Sequence, residues 1–301
     1  MTVGTRPRAR GTARSAARGA AGPVYLGGAA SAALRPALES ARRPARVLAA
    51  FPLAVYLEVR TETEPHVVAL VTGQGVRLPN AVVVAGPLDG PAAGDDGWVG
   101  DGVVEAGGLS VRVARWWDPA PSLGTADLGG LRPALARLRA VREASGRRPG
   151  LPPGGAVTLL ADGCRRGSLT DGVTATELLL GLGPGLTPSG DDLLAGLLVT
   201  LRHLGRAANA PRAVWLADWL AATVTFDARV RTTPISATLL HCAARGEAAP
   251  EATGVLQAVA GRRPLEAAAH RLLALGHTSG ADMLWGVEIG LSAVLSLGEG
   301  P

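Results

Sequence analysis

The sequence predicts an α+β protein in which a β-rich N-terminal domain, a small sandwich or barrel, precedes an all-α C-terminal domain. Residues 44–118 contain short apolar segments rich in β-branched residues, separated by Gly, Asp and Pro clusters. From residue 156 onward the apolar spacing is helical. The Pro- and Gly-rich stretch 146–155 separates the two patterns. A chain of 301 residues is long enough for two domains of ordinary size.

The β-rich region contains a regular series of strand candidates. Their spacing of about 8–12 residues is typical of a small sandwich or barrel. The candidates are RVLAAFPLAVYLEVR at 46–60, PHVVALVTG at 65–73, NAVVVAG at 80–86, DGVVEAG at 101–107 and LSVRVARWW at 109–117.

The second half contains a series of helix candidates with start and stop signals. A first helix at 131–144 leads into the linker, and Asp162-Gly163 is typical of a turn. Glycines follow several periodic segments, and prolines stand at several starts. Further helices are predicted near 170–180, 190–204, 211–226, 234–245, 251–260, 264–275 and 280–297. The predicted division is a tail at 1–22, a β-rich domain with its closing helix at 23–150 and an all-α domain at 151–301.

Charge and composition narrow the classes of partner. Every basic residue is Arg, and residues 1–22 carry five of them without an acidic residue. The rest of the chain is formally neutral, so the high isoelectric point does not indicate a nucleic-acid partner. We interpret residues 1–22 as a disordered tail or a misassigned start, because no apolar run of a secretory signal follows the arginines. The apolar runs 193–201 and 283–297 are too short to span a bilayer, so we expect a cytoplasmic protein without a membrane partner.

Two helix starts share the pattern S-G-x-D-x-L-x-G. One begins at Ser189, after the loop GLGPGLTP at 181–188, and the other begins at Ser279. A serine N-cap with an aspartate three residues later resembles a capping box, so two well-capped buried helices would explain the shared spacing. The adjacent pair Asp191-Asp192 exceeds what capping requires. The Gly-rich loop would also let backbone N–H groups approach a ligand closely.

A third helix start follows Arg231, where Thr232-Thr233-Pro234 predicts an N-cap at Thr233 and Pro at the first helical position. Helix N-termini attract phosphate and carboxylate groups, and arginine binds the same groups through two hydrogen bonds. We therefore expect the three helix starts to meet at one pocket for a small anionic substrate.

Each predicted site residue has a role in that pocket. His277, Asp192 and Asp282 are the catalytic candidates, with His277 placed for proton transfer. An ordinary loop histidine and a surface arginine are the plain alternatives for His277 and Arg231. Asp191, Asp192 and Asp282 are also candidate ligands of a magnesium ion. The substrate-binding candidates are Gly183, Gly185, Thr187, Ser189, Gly190, Arg231, Thr232, Thr233, Ser236, Thr278, Ser279 and Gly280.

Three segments together resemble the AllH family, formerly a bacterial domain of unknown function. They are GLGPGLTPSGDDLLAGLL at 181–198, RTTPISATLL at 231–240 and GHTSGADMLWGV at 276–287. The resemblance implies a subunit of a carbamoyltransferase that exchanges oxalurate and phosphate with oxamate and carbamoyl phosphate, in the breakdown of allantoin and other purine products. It also implies AllF-like and AllG-like protein partners. The β-rich part carries no motif of this kind.

Three functions of different classes follow from these residues. The chain could be a catalytic subunit of a transferase complex, or a binding or structural subunit whose partner carries the chemistry. Paired aspartates at two helix starts are also compatible with a magnesium-dependent hydrolase. Turnover by the purified chain alone would exclude the second.

Overall fold

The computed structural model describes residues 23–61 and 66–299. An eight-stranded closed barrel occupies its N-terminal half and a helical layer follows, so the predicted α+β class is confirmed and the β-rich part is a barrel. The predicted tail at 1–22 lies outside the described residues.

The barrel closes through a parallel pairing of its first and last strands. The strands are β1 Val24–Ser31, β2 Arg43–Phe51, β3 Ala54–Val59, β4 Val67–Thr72, β5 Ala81–Val84, β6 Asp96–Gly100, β7 Val103–Ala106 and β8 Leu109–Trp117. Their order around the barrel is β1-β5-β4-β3-β2-β6-β7-β8. A second parallel pair joins β4 and β5, and the other neighbours are antiparallel.

Burial along the strands shows which side of the barrel faces the helices. In β3, Val55 and Leu57 point into the barrel core, whereas Tyr56 is half-buried on the outside. Strand β4 is buried on both faces, because Leu70 packs inside and Val71 packs in a second cluster outside. Alternation of this kind follows from the two-residue period of a strand. The outer face of β3–β5 is therefore the face that the helices cover.

Two strands were missed, and one predicted strand is two. The segment 46–60 turns at Pro52-Leu53, which divides it into β2 and β3. Strands β1 and β6 contain glycines where neighbouring atoms leave no room for a side chain. A Cβ at Gly28 would lie 2.7 Å from Val82, and one at Gly97 would lie closer than 3.0 Å to a carbonyl of β7. These glycines lower the β-branched content by which a strand is recognised.

The helical region agrees with the predicted series except at its beginning. A helix at Gly155–Arg166 was not predicted, and Asp162-Gly163 lies inside it rather than in a turn. Gly163 allows the two helices to pack closely, because a Cβ at this position would lie 2.8 Å from Asp171 of the adjacent helix. The helices are α1 Arg35–Leu38, which follows a short 3₁₀ turn, α2 Leu128–Ala144, α3 Gly155–Arg166, α4 Leu169–Leu179, α5 Ser189–Ala207, α6 Pro211–Arg231, α7 Pro234–Arg245, α8 Pro250–Val259, α9 Leu265–Leu273 and α10 Ser279–Gly298.

Helix α2 packs with the helices that follow it. Its Leu131, Leu138 and Val141 belong to the same apolar core as α5 and α10. The division between domains near residue 150 stays a prediction, and this packing favours grouping α2 with the helical layer. Helix α10 is long and apolar enough to cross a membrane, but 78% of its most apolar stretch is buried inside the protein, as in a core helix.

Candidate functional site

The starts of α5, α7 and α10 meet at one place, as the sequence predicted. The hydroxyl oxygens of Thr187 and Ser279 lie 3.3 Å apart, and those of Ser189 and Thr278 lie 3.4 Å apart. The Ser236 hydroxyl of α7 donates to Asp191 of α5 at 2.6 Å. Side chains from three separate segments therefore form one polar cluster.

Helices α5 and α10 run parallel and are related by an approximate twofold. Their contacts advance in the same direction, from Ser189 beside Thr278 to Thr200 beside Gly290. The last glycine of each sequence repeat lies against the backbone of the other helix. A Cβ at Gly196 would lie closer than 3.0 Å to a backbone carbonyl of α10, and a Cβ at Gly286 equally close to one of α5. The repeated motif thus builds a tightly packed helix pair.

The capping box that the shared spacing resembles is not formed at either repeat. The N-cap residues are Pro188 and Thr278, and neither makes a side-chain capping bond. Ser189 and Ser279 are the first residues of their helices. Their hydroxyls turn towards the opposite helix because the two helix starts lie side by side. The aspartates are thereby available for contacts outside their own helices.

The repeat glycines Gly190 and Gly280 serve close packing rather than ligand contact. Their N–H groups donate to the carbonyls of Leu182 and Leu275 at 2.8 and 3.1 Å. A Cβ at either position would lie closer than 3.0 Å to a carbonyl at the end of the preceding helix. Two N–H groups expected to meet an anion are therefore already bound to backbone.

Asp191 fastens the Gly-rich loop to α7. Its Oδ1 accepts from the Gly181 N–H at 2.7 Å. Its Oδ2 accepts from the hydroxyls of Thr232 and Ser236. A buried carboxylate with three donors is satisfied. Asp191 is therefore engaged within the protein, which leaves it poorly suited to the predicted metal role.

Thr233 caps α7 as predicted and also anchors the loop. Its hydroxyl accepts from the Ser236 N–H at 3.1 Å and donates to the Leu186 carbonyl at 2.5 Å. Pro234 occupies the first helical position, as the sequence indicated.

We expect Thr233→Ala to lower the free energy of unfolding by about 1–2 kcal/mol, because a helix cap and a loop contact are lost together. Urea unfolding measures the change. Thr223→Ala is the matched control, since that hydroxyl bonds only to the Trp219 carbonyl of its own helix, and its effect should stay within about 0.5 kcal/mol. Equal losses in both variants would contradict this account of Thr233.

Asp192 is the buried acid that the structure leaves incompletely bonded. It is 7% exposed, and its Oδ2 has no hydrogen-bond partner among the described residues. Burial raises its pKa to about 7, and the charges of Asp282 and Asp191 act in the same direction. The hydroxyls of Ser279 and Thr187 partly oppose this rise in pKa. A carboxyl group with a pKa near neutrality can act either as a proton acceptor or as a proton donor at neutral pH.

Asp282 occupies the equivalent position on α10 and is fully buried. Its Oδ1 accepts from the Gly150 N–H at 2.8 Å, and its Oδ2 has no partner among the residues described. Burial raises its pKa, while the hydroxyls of Ser189 and Thr278 and the backbone N–H groups lower it. Asp282 is enclosed by the chain itself.

A cavity of about 270 Å³ begins at Asp192 and extends along α5 between the barrel and the helices. Its polar end includes Asp191, Asp192, Thr187, Ser236 and Ser279. The rest is mainly apolar. The apolar lining comes from the barrel through Tyr56, Val76, Leu78 and Pro79, and from the helices and their connections through residues that include Val199, Ile235, Leu239, Leu240, Ala252, Leu256, Leu275, Met283 and Val287.

Comparison with known families identifies the part of the chain that builds this site. Residues 179–291 match the AllH family. The family is described as oxamate carbamoyltransferase subunit AllH, so the predicted resemblance is confirmed over this range. No solved structure matches the chain. The AllH match contains the starts of α5, α7 and α10 together with all three aspartates, and it excludes the barrel.

Several predicted site residues of the AllH region lie outside the cavity. His277 and Arg231 have exposed side chains and do not line it. Gly183 and Gly185 are exposed in the loop, with φ of 119° and 99°. Their predicted roles stay predictions. Each role would require a substrate or a partner subunit that contacts these exposed residues from outside the cavity.

The predicted magnesium site lacks a complete ligand set. Among residues 23–61 and 66–299, no group of three or more His, Cys, Asp or Glu side chains is arranged to hold a metal ion. Asp191 is occupied by its three donors, and Asp282 lies behind Gly150. Of the three predicted metal ligands, Asp192 alone lines the cavity with a carboxylate oxygen that has no hydrogen-bond partner among the described residues.

Other contributors to the site were missed from the sequence. Tyr56 and Leu78 bring the barrel to the cavity wall, and Gly150 of the linker brings an N–H group to Asp282. No local pattern marks these residues, because their role depends on how distant segments meet. Ala195 and Met283 could have been found, since both fall within the repeated motifs.

Proposed function

We propose that this chain is the AllH-type subunit of a cytoplasmic carbamoyltransferase and that the cavity at Asp192 receives the carbamoyl-bearing substrate. The observation that carries the proposal is the coincidence of the AllH match with the three helix starts that enclose Asp192. The family description names a subunit of oxamate carbamoyltransferase. That oxalurate and phosphate are the substrates is part of the proposal.

The proposed reaction needs one proton to change position. When phosphate attacks the ureido carbon of oxalurate, a new C–O bond forms and the C–N bond to the oxamate nitrogen breaks. Hydrogen phosphate gives up a proton, and the departing nitrogen takes one up. The products are carbamoyl phosphate and oxamate, with charge and atoms balanced.

Asp192 has the properties of the group that would move this proton. A pKa of about 7 allows its carboxylate to accept the proton and return it at neutral pH. Its unpartnered Oδ2 can bond to the substrate nitrogen. Asp282 supports this role, because its nearby negative charge contributes to the raised pKa of Asp192.

The lining of the cavity supports the proposal that the chain works with partner subunits. Of the described residues that line it, none is an arginine or a histidine. Phosphate and carboxylate groups are bound in proteins by cationic side chains and free N–H groups. We therefore assign the phosphate-binding groups to the AllF-like and AllG-like subunits, with exposed Arg231 at the junction.

Reconstitution tests this proposal directly. The purified chain alone should not convert oxalurate and phosphate, whereas its complex with AllF-like and AllG-like subunits should release carbamoyl phosphate and oxamate. Product formation is followed by chromatography, with each subunit omitted in turn as the control. Full activity of the two partners without this chain would show that the chain is a structural or binding subunit.

A further inference from the structure

The repeated motifs create two equivalent half-sites at the junction of α5 and α10. In each, the aspartate of one helix faces a serine hydroxyl of the other helix and a nearby threonine hydroxyl. The closed half-site consists of Asp282, Ser189 and Thr278, and the open half-site consists of Asp192, Ser279 and Thr187.

The linker occupies the closed half-site and bonds to one oxygen of Asp282. The Gly150 N–H donates to Asp282 Oδ1 at 2.8 Å, and the Leu151 N–H also lowers the pKa of this carboxyl group. Gly150 lies so close to the two hydroxyls that a Cβ would meet the Ser189 oxygen closer than 3.0 Å. The Leu151 side chain is buried in the apolar core. The occupant of this half-site is thus an amide followed by an apolar group.

The open half-site has the same polar groups but no linker. Asp192 is 7% exposed with an unpartnered Oδ2, and it lines the cavity together with Ser279 and Thr187. Beyond these groups the cavity wall is mainly apolar, through side chains such as Leu240 and Leu256, and Thr200 and Glu247 are further polar residues in its lining. An unsatisfied buried acceptor at the end of an apolar cavity calls for a ligand that donates a hydrogen bond and buries apolar surface.

We infer that the open half-site binds a neutral amide or monosubstituted urea, whose N–H groups donate to Asp192 and whose apolar substituent lies along α5. The Gly150–Leu151 segment shows, within this molecule, which chemistry the equivalent half-site accepts. The inference rests on the proposed function, because it names the substrate class of the same site. Oxalurate carries the same ureido N–H groups, and its carboxylate would be met by the anion-binding groups that the proposed function assigns to the partner subunits.

Calorimetric titration of the purified full chain with urea, N-butylurea and N-hexylurea tests the inference. Affinity should rise by about fourfold for each methylene that enters the cavity. Hexanoate at pH 8 is the matched charged ligand, and we expect no measurable binding of it. Asp192→Asn should weaken N-hexylurea binding at least tenfold. Ala252→Leu, which adds volume to the apolar lining of the cavity from α8, should weaken N-hexylurea more than urea.

Three results would overturn the inference: affinity independent of chain length, hexanoate binding as tightly as N-hexylurea, or unchanged affinity in Asp192→Asn. The reconstituted complex separates this failure from failure of the proposed function. Turnover of oxalurate that N-hexylurea does not inhibit would overturn the inference and leave the transferase proposal standing. Tight, chain-length-dependent binding by a complex that catalyses no carbamoyl transfer would support the binding site and exclude the transferase function.

Discussion

Asp192→Asn should lower carbamoyl transfer by the reconstituted complex about 100- to 10,000-fold, the range typical for loss of a general acid–base group. An asparagine keeps the size of the side chain but can neither accept nor return a proton. The complex should still assemble, because Asp192 is buried within this subunit and is 7% exposed. Asp218→Asn is the control, since this aspartate is exposed and bonded to Arg202 away from the cavity, and it should leave the rate unchanged.

The same variant should make the isolated chain more stable at alkaline pH. Burial raises the pKa of Asp192 from 3.8 in its ordinary state to about 7 in the folded protein. The folded state therefore holds a proton that the unfolded state releases, so wild-type stability falls as pH rises from about 4 to 7. The difference in pKa corresponds to about 4 kcal/mol above pH 7. Asparagine has no such titration.

Urea unfolding of both proteins at pH 5 and pH 8 measures this effect. The advantage of Asp192→Asn should be largest at pH 8 and smaller at pH 5, where the wild-type carboxyl group is mostly protonated. A variant that is inactive and also less stable at pH 8 would show that Asp192 is a structural residue with a satisfied charge. Our assignment of the proton-carrying group would then be wrong.

The sequence predicted that the helix starts meet, but it did not predict how their side chains are arranged. Shared S-G-x-D-x-L-x-G spacing correctly indicated two equivalent helix starts. A capping box was the plain alternative explanation of that spacing, because Ser and Asp so placed can satisfy each other within one helix. Close packing of α5 on α10 turns the serines outward, and this rearrangement is not encoded in the spacing of either motif alone.

Glycine explains much of what the sequence could not reveal. A sequence does not distinguish a glycine that lets a ligand approach the backbone from one that lets another backbone segment approach. Gly190 and Gly280 serve the approach of another backbone segment. Strands β1 and β6 were hidden because Gly28 and Gly97 replace the β-branched residues that mark a strand. The contact of Gly150 with Asp282 joins segments far apart in the chain, so no local pattern predicts it.

Gly286→Ala should lower the free energy of unfolding by about 3 kcal/mol or more. The new Cβ would lie closer than 3.0 Å to the Leu193 carbonyl and 2.8 Å from the Leu197 backbone nitrogen. Both atoms belong to the main chain of α5, so no side-chain rotation relieves the overlap, and α10 must move away. Movement of α10 would also separate Ser279 from Asp192, so binding at the cavity should weaken together with stability.

Gly254→Ala supplies the matched control for this argument. Gly254 is also a helical glycine, in α8, but a Cβ there would meet no atom within 4 Å. That variant should gain about 0.5–1 kcal/mol, because alanine favours the helix and restricts the unfolded chain. Thermal unfolding should therefore shift in opposite directions for the two variants, with a fall of about 10 °C for Gly286→Ala. Equal melting temperatures would contradict the close parallel packing of α5 and α10, and with it the physical reason for the repeated motif.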